Sequence, residues 1–227
     1  MTAILQNVWQ LKGLMLERQK RRSQVVKKCF NNYPKMILDI GCAEGFATNF
    51  IIDDSTFVVG VELNFDHLRI AKDKVKGAFF INASIDYLPF RDEYFDGVSI
   101  LEVLEHLPTE LQLRGLKETD RILKSKGILI ISVPYKEQII YTNCIHCKKD
   151  TPLYGHLHIL DEDKISALLP DKSFKLNEKY NLPNLMMISC LNIFRNIPLS
   201  LWLKINNLLG KIKIQRGYWI ILKYVKV

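Results

Sequence analysis

Little in this sequence marks it for the outside of a cell or for a bilayer. Its five cysteines, at 29, 42, 144, 147 and 190, are odd in number and lack the spacing of a disulfide framework. That excludes a small cross-linked scaffold and predicts a reducing compartment. Long apolar runs are missing too. The strongest tract, Leu185 to Phe194, is too short to span a bilayer and is followed by Arg195 and Pro198. The segment from Met1 to Arg22 carries its charges after the apolar part, so it lacks a signal-peptide layout and reads as an amphipathic helix of a cytoplasmic protein. Acids are scarce at both ends. Residues 1–35 hold eight Lys or Arg and one Glu, residues 181–227 hold seven and no acid, and the middle is net −6 within a total of +8. Such ends suit an anionic partner or a membrane surface, or are simply solvated flanks. They lack the aromatic interleaving of a base-stacking surface, which disfavours nucleic acid. Nothing in the sequence fixes an oligomeric state.

What is present is an alternation of strand and helix. A length of 227 residues fits one domain with a sizeable core. A basic helical segment over 1–35, with helices up to Arg22 and from Ser23 to Phe30, precedes the main body at 36–227. Buried strands are predicted at 36–40, 57–63, 78–83, 95–101 and 127–133, with helices at 45–52, 65–75 and 109–123 between them. That order implies a largely parallel sheet with helices on both faces. Leu68, Ala71 and Val75 give the second helix its apolar face. Further on, Asp161 caps a short helix, 174–180 reads as a strand, and 218–225 as an antiparallel closing strand. Residues 184–210 read as a helical insertion with Trp202, Ile205, Leu208 and Leu209 on one face, suited to packing on the sheet or to a membrane surface.

The run MILDIGCAEG, 36–45, ends in an acid and a loop with Gly41 and Gly45, and FVVGVEL, 57–63, carries Glu62 at the end of the next strand. Glycines allow a sharp turn and a close ligand approach, and a carboxylate at the end of the second strand can accept from both hydroxyls of a ribose. A dinucleotide fingerprint would need glycines where Ala43 and Phe46 stand, which disfavours a nicotinamide-linked oxidoreductase. The pattern Asp39-x-Gly41-x-Ala43-x-Gly45 instead resembles the first motif of class I S-adenosylmethionine-dependent methyltransferases, of the type 11 kind that act on small molecules. Asn82, Leu88-Pro89-Phe90 and Phe95-Asp96 continue the resemblance, which covers residues 36 to 133.

The resemblance implies a Rossmann-like α/β fold whose seven-stranded, mostly parallel sheet ends in an antiparallel strand. It implies S-adenosylmethionine as donor and S-adenosylhomocysteine as product. Asp39, Gly41, Ala43 and Gly45 would hold the methionine part, Glu62 the ribose, Leu63, Asn82 and Ala83 the adenine, and Leu101 or Glu102 would border the methionine part. Glu105-His106 resembles the Glu-His pair of ubiquinone-type O-methyltransferases, which makes His106 a candidate catalytic base; the alternative is that His106 only lines the turn before Pro108. The expected reaction is methyl transfer to an O or N of a small-molecule acceptor. An RNA or lipid-linked acceptor, or a catalytically silent donor-binding partner subunit, are the other readings.

An insertion at about 134–160 is the most individual stretch. Cys144-x2-Cys147 followed by His156 and His158 matches the ligand set of a structural zinc site. The rival reading has the histidines lining the acceptor pocket and the cysteines free.

Overall fold

The computed structural model describes residues 8–30, 35–135, 137–183, 197–211 and 217–227. The alternating segments become β1 (Met36–Ile40), α2 (Phe46–Ile51), β2 (Phe57–Glu62), α3 (Phe65–Lys74), β3 (Ala78–Asn82), β4 (Phe95–Leu101), α4 (Thr109–Ile122) and β5 (Leu123–Pro134), preceded by α1 (Gly13–Phe30). After them come a small hairpin of β6 (Tyr141–Asn143) and β7 (Asp150–Pro152), then α5 (Glu162–Leu168), β8 (Phe174–Pro183), α6 (Leu199–Lys211) and β9 (Gly217–Lys226). Seven strands form one sheet in the order β3-β2-β1-β4-β5-β9-β8. β1 to β5 run parallel, and β9 is antiparallel to both of its neighbours, β5 and β8. The antiparallel closing strand predicted from the sequence is therefore present, inside the sheet instead of at its edge.

The two-residue period of the strands sorts the core into two layers. Leu38, Ile40, Val98, Ile100, Leu129 and Ile131 face Leu116 and Ile122 of α4 and Ile165 of α5. Ile37, Val58, Ile130 and Ile221 face Val25, Val26, Cys29 and Phe30 of α1 and Trp202 of α6. The alternation explains why neighbouring residues such as Ile130 and Ile131, both fully buried, belong to different clusters. Leu68, Ala71 and Val75 are buried in a third cluster with Cys42 and Phe80, as their spacing predicts. Asp161 caps α5 by accepting from the Lys164 amide at 2.9 Å.

Three expectations change. The two N-terminal helices are one, running through a fully buried Ser23 with no Gly or Pro to stop it. The insertion, for which no strand is predicted, contains the β6–β7 hairpin. In α6 the buried face is Trp202, Leu203 and Asn206, while Leu208 is 63% exposed; the Asn206 amide donates to the Asn181 carbonyl of β8 at 2.8 Å, which turns the helix away from the purely apolar face. Of the predicted 184–210 insertion, residues 184–196, including Cys190, lie outside the described residues, as does the Leu209 side chain. No helix among the described residues is long and apolar enough to cross a membrane.

The basic first helix is largely turned inward. The guanidinium of Arg18 lies 5.0 Å from the Tyr218 ring, Arg21 5.6 Å from Trp202 and Arg22 4.7 Å from Trp219. Arg21 also donates to the Ile197 carbonyl at 3.0 Å. Each such stacking contributes about 0.5–2 kcal/mol, more where water is excluded. These three charges serve the fold, which leaves the basic N-terminal segment a weaker claim on anionic surfaces than its composition implied.

One contact tests the packing. A methyl on Gly115 in α4 would lie 2.7 Å from Cγ1 and 3.2 Å from Cγ2 of buried Ile85. Alanine is favoured over glycine in a helix by about 1 kcal/mol, and overpacking costs about 1–3 kcal/mol. Both branches of Ile85 are blocked, so the Gly115→Ala protein should unfold at lower urea concentration, by roughly 1 kcal/mol net. A raised midpoint would show that Ile85 yields.

Candidate functional site

The loop between β1 and α2 is built from left-handed residues. Gly41, Ala43 and Gly45 have φ of 70°, 45° and 77°. Gly41 is required twice over, because a β-carbon there would also meet Val103 Cγ2 at 2.3 Å. The amides of Gly41 and Cys42 both donate to the Val61 carbonyl, at 2.8 and 3.0 Å, which ties the loop to the end of β2. Ala43 holds its conformation without a glycine's freedom, and its amide is anchored on Glu62 Oε2 at 3.0 Å.

Asp39, 1% exposed, lies beneath this loop. It accepts from Thr48 Oγ1 of α2 at 2.6 Å and from Ser99 Oγ of β4 at 2.7 Å. Burial pushes its carboxyl above the usual range, and the two hydroxyls oppose that shift. Asp39 thus fastens β1, α2 and β4 around the turn. Glu44 in the same loop accepts from the Val8 amide at 3.0 Å, and its carbonyl takes the indole N–H of Trp9 at 2.8 Å. Trp9 meets Phe46 edge to face at 5.2 Å, so residues 8–10 close over the start of α2.

Glu62, at the end of β2, has both carboxylate oxygens aimed at this crevice. Oε2 accepts from Ala43 and Oε1 from the Asn64 amide at 2.7 Å. Asn64 then caps α3 by accepting from the Asp66 and His67 amides. Asn82 stands opposite Glu62 in the β2–β3 ladder. Its side-chain N–H groups donate to the Glu62 and Leu63 carbonyls at 2.9 and 2.8 Å. Leu63 is 69% exposed beside them, an apolar surface at a polar rim. Ala83 packs against the core.

The end of β4 forms the other wall. Leu101 is buried. Glu102 follows with a φ of 57°, a strained value for a glutamate. Its carboxylate accepts from Ser132 Oγ at 2.7 Å and from the Trp219 indole at 2.5 Å, with Arg22 at 3.5 Å. Burial pushes Glu102 up; Arg22, Ser132 and Trp219 pull it back.

Glu105, three residues on, has no such company. It is 1% exposed, and neither carboxylate oxygen has a hydrogen-bond partner among the described residues. Burial, with the Glu102 charge nearby, pushes its carboxyl up to about 9, against a weak opposing pull from its own main-chain amide. Its main-chain carbonyl accepts from the Leu157 and His158 amides at 2.7 and 3.3 Å, which docks the insertion onto this turn. Nδ1 of His106 lies 3.1 Å from the Gly155 carbonyl. Nδ1 of His156 lies 2.8 Å from the Glu137 carboxylate. The two imidazoles meet edge to face at 4.7 Å. Although His106 is exposed at its surface, partial desolvation of the ring lowers it from the ordinary imidazole range, and the Gly155 carbonyl opposes that shift.

A glycine turn fastened to a strand-end carboxylate, at the C-terminal ends of parallel strands, is the crevice in which open α/β sheets bind ligands. Comparison with known proteins gives it a chemistry. The profile of a methyltransferase domain family matches residues 38–131. An uncharacterized protein of Methanocaldococcus jannaschii is 31% identical over 204 residues, covering 90% of this chain and 84% of that one. A probable S-adenosylmethionine-dependent methyltransferase of Mycobacterium tuberculosis is 27% identical over 139 residues, 61% of this chain and 48% of its own. The chain thus spans about half the length of that mycobacterial relative. The chain belongs to the class I S-adenosylmethionine-dependent methyltransferase family. The fold agrees: a SAM-dependent methyltransferase structure from Methanosarcina mazei superposes with a TM-score of 0.62 at 16% identity, covering 89% of this chain and 97% of that one. Shorter matches include a tRNA (carboxymethyluridine(34)-5-O)-methyltransferase of Arabidopsis thaliana, 32% identical over 104 residues (45% of this chain, 25% of that one), and a ubiquinone biosynthesis O-methyltransferase of Haemophilus ducreyi, 25% identical over 130 residues (53% and 54%).

Within this methyltransferase, the residues expected from the sequence divide cleanly. Asp39, Gly41, Ala43, Gly45, Glu62, Leu63 and Asn82 are joined by hydrogen bonds or adjacency around one turn. His106 lies against the insertion. The proposed zinc set is not assembled: among the described residues, the metal-ligating side chains brought within 4.8 Å of one another are Glu105, His106 and His156, with neither cysteine nor His158 among them. The physical reason is the hairpin. β6 and β7 project Cys144 and Cys147 at their exposed end, where both are free thiols, while the chain after β7 runs back to Glu105 carrying His156 with it. Amides of Cys147 and His146 hold the Cys144 thiol below its ordinary range. Sequence reasoning missed Glu137, Arg22 and Trp219; only a carboxylate at the near end of the insertion, and a Trp in the closing strand, hinted at them.

Proposed function

We propose that this methyltransferase binds S-adenosylmethionine in the crevice between the glycine turn and Glu62 and transfers its methyl group to an oxygen of a small-molecule acceptor. Asp39 and the turn Gly41–Gly45 then hold the methionine part, Glu62 the ribose hydroxyls, Leu63, Asn82 and Ala83 the adenine, and Leu101 borders the reacting sulfonium. One observation carries it: both oxygens of Glu62 are already oriented by main-chain amides, so the carboxylate is preorganised to accept from a vicinal diol without reorganising. Methylation of oxygen is supported by the two relatives whose names specify an O-methyl product. In the transfer, the acceptor oxygen forms a bond to the methyl carbon as the sulfur–carbon bond breaks. The electron pair goes to sulfur, and S-adenosylhomocysteine leaves. The protein contributes alignment, and His106 is the group placed to take the acceptor's proton. An odd number of cysteines without the spacing of a disulfide framework supports a reducing, cytoplasmic setting.

Calorimetry with S-adenosylhomocysteine should register one equivalent bound. Methyl-labelled donor incubated with fractionated extract should deliver label to a small-molecule fraction as an ether or ester. Label appearing only in RNA would overturn the acceptor class, and no uptake of either nucleoside would overturn the donor site.

A further inference from the structure

We propose that Glu105, His106 and His156 bind a divalent first-row transition-metal ion that takes the acceptor's oxygen as a further ligand. The proposal rests on the methyl-transfer reading for its purpose, but not for its evidence.

The evidence begins with an anomaly. A buried carboxylate without a hydrogen-bond partner is among the most costly groups a fold can hold, and such groups are normally paired or coordinated to a metal. Glu105 is 1% exposed with both oxygens unpartnered among the described residues, although its neighbour Glu102 collects a hydroxyl, an indole and a guanidinium. What faces Glu105 instead is a pair of imidazoles, with one ligand atom from each of the three residues inside 4.8 Å. Ligands at about 2.0–2.1 Å from one ion in a tetrahedral arrangement lie about 3.4 Å apart, so closing the site takes up to about 1.4 Å of side-chain movement.

The second observation is how the imidazoles are held. Metal-bound histidines use one ring nitrogen for the ion and give the other to a carboxylate or carbonyl, which fixes the ring. Both rings here show that pattern at Nδ1: His106 on the Gly155 carbonyl at 3.1 Å, His156 on the Glu137 carboxylate at 2.8 Å. Among the described residues neither Nε2 has a hydrogen-bond partner, which leaves each for a ligand. Glu137 and Gly155 come from the two ends of the insertion, and the Leu157 and His158 amides clamp that insertion to the Glu105 carbonyl. A site assembled from the end of β4 and from the insertion exists only when the two are docked.

Two imidazoles and one carboxylate suit zinc, cobalt, iron or manganese, and suit magnesium or calcium poorly. Three protein ligands leave a position open, as in catalytic sites rather than structural ones. The site is continuous with the donor crevice, since Val103, two positions before Glu105, is the side chain that Gly41 must be a glycine to accommodate. With the ion bound, His106 is a ligand and no longer the base: the acceptor hydroxyl on the ion loses its proton to solvent near neutral pH, and its oxygen then attacks the sulfonium methyl as an alkoxide while the sulfur–carbon bond breaks.

The test uses the whole chain, stripped with chelator and titrated with Co²⁺, whose visible bands report ligand number and type. One equivalent should bind, with bands of a nitrogen and oxygen site and no sulfur-to-cobalt charge transfer. Glu105→Gln and His156→Ala should each weaken binding at least a hundredfold, while the Cys144→Ser/Cys147→Ser double substitution leaves it unchanged. Affinity for S-adenosylhomocysteine serves as the check that each variant is folded. Uptake below a tenth of an equivalent by wild-type protein overturns the proposal, as does cobalt binding that is lost with the cysteines and kept without Glu105. Cobalt binding at the three residues without any nucleoside uptake would sustain the site and defeat the methyl-transfer reading.

Discussion

Replacing Glu62 with alanine is expected to weaken S-adenosylhomocysteine binding by a factor of a hundred or more while leaving the fold intact. Two effects add. The ribose loses a charged acceptor, worth about 1.5–3 kcal/mol per hydrogen bond. The crevice also loses its shape, because Glu62 is what holds the Ala43 amide at 3.0 Å and the Asn64 amide at 2.7 Å. Ala43 occupies a left-handed conformation at φ 45°, which a non-glycine residue adopts only when its surroundings hold it there. Glu62→Gln separates the two effects: it keeps one acceptor oxygen and should lose less, roughly tenfold to thirtyfold, by the same hydrogen-bond arithmetic. Isothermal titration of the three proteins decides it, and unchanged affinity in the alanine variant would remove Glu62 from the donor site.

Glu105→Gln should make the metal-free protein more stable, by an amount that depends on pH. The folded-state carboxyl is pushed up to about 9 by burial, whereas an unfolded glutamate titrates near 4.3. Above about pH 4.3 the unfolded chain releases this proton and the folded protein keeps it, so wild-type stability falls as pH rises and levels off only near 9. At pH 7 the accumulated cost is roughly 4 kcal/mol, at about 1.4 kcal/mol per pKa unit. Glutamine keeps the shape and has no proton to lose. Urea unfolding should therefore show the variant ahead at pH 8 and level with wild type near pH 4.5. An equal difference at both pH values would mean that Glu105 is ionised in the fold. Saturating divalent metal reverses the ranking, because an ion that binds only the folded wild type stabilises it by mass action.

How much of this was written in the sequence depended on the distance over which each feature is encoded. Local periodicity carried most of the sheet: β4 begins and ends at Phe95 and Leu101, where its pattern does, and Leu68 and Ala71 of α3, with Val75 just past its end, are buried together as their spacing assigns. The glycine turn was legible for the same reason, since left-handed residues and a strand-end acid leave their signature within a single strand–helix–strand unit. Features made by two distant segments left none. Glu102 meets Trp219 across 117 residues, and Arg21 reaches the Ile197 carbonyl across 176. The buried face of α6 was misread because Asn206, polar by type, is spent on a β8 carbonyl. The cysteines misled in a different way. Their CxxC spacing and the following histidines share one stretch of chain, but a short hairpin is enough to carry the thiols to the surface while His156 turns in. Sequence proximity put His156 and the cysteines in one segment, and the fold separates them.

The position of β9 bears on how the molecule is made. It lies between β5 and β8, so β8, although synthesised first, has no strand to pair with until β9 slides in. While the chain is emerging from a ribosome, the β5 ladder, with Ile128 to Val133 nearly all apolar, stays open to any strand that comes by. The sheet of the nascent enzyme is therefore completed late, by the last strand to leave the ribosome. Arg22 and Trp219 meet only after it closes, so their contact reports completion.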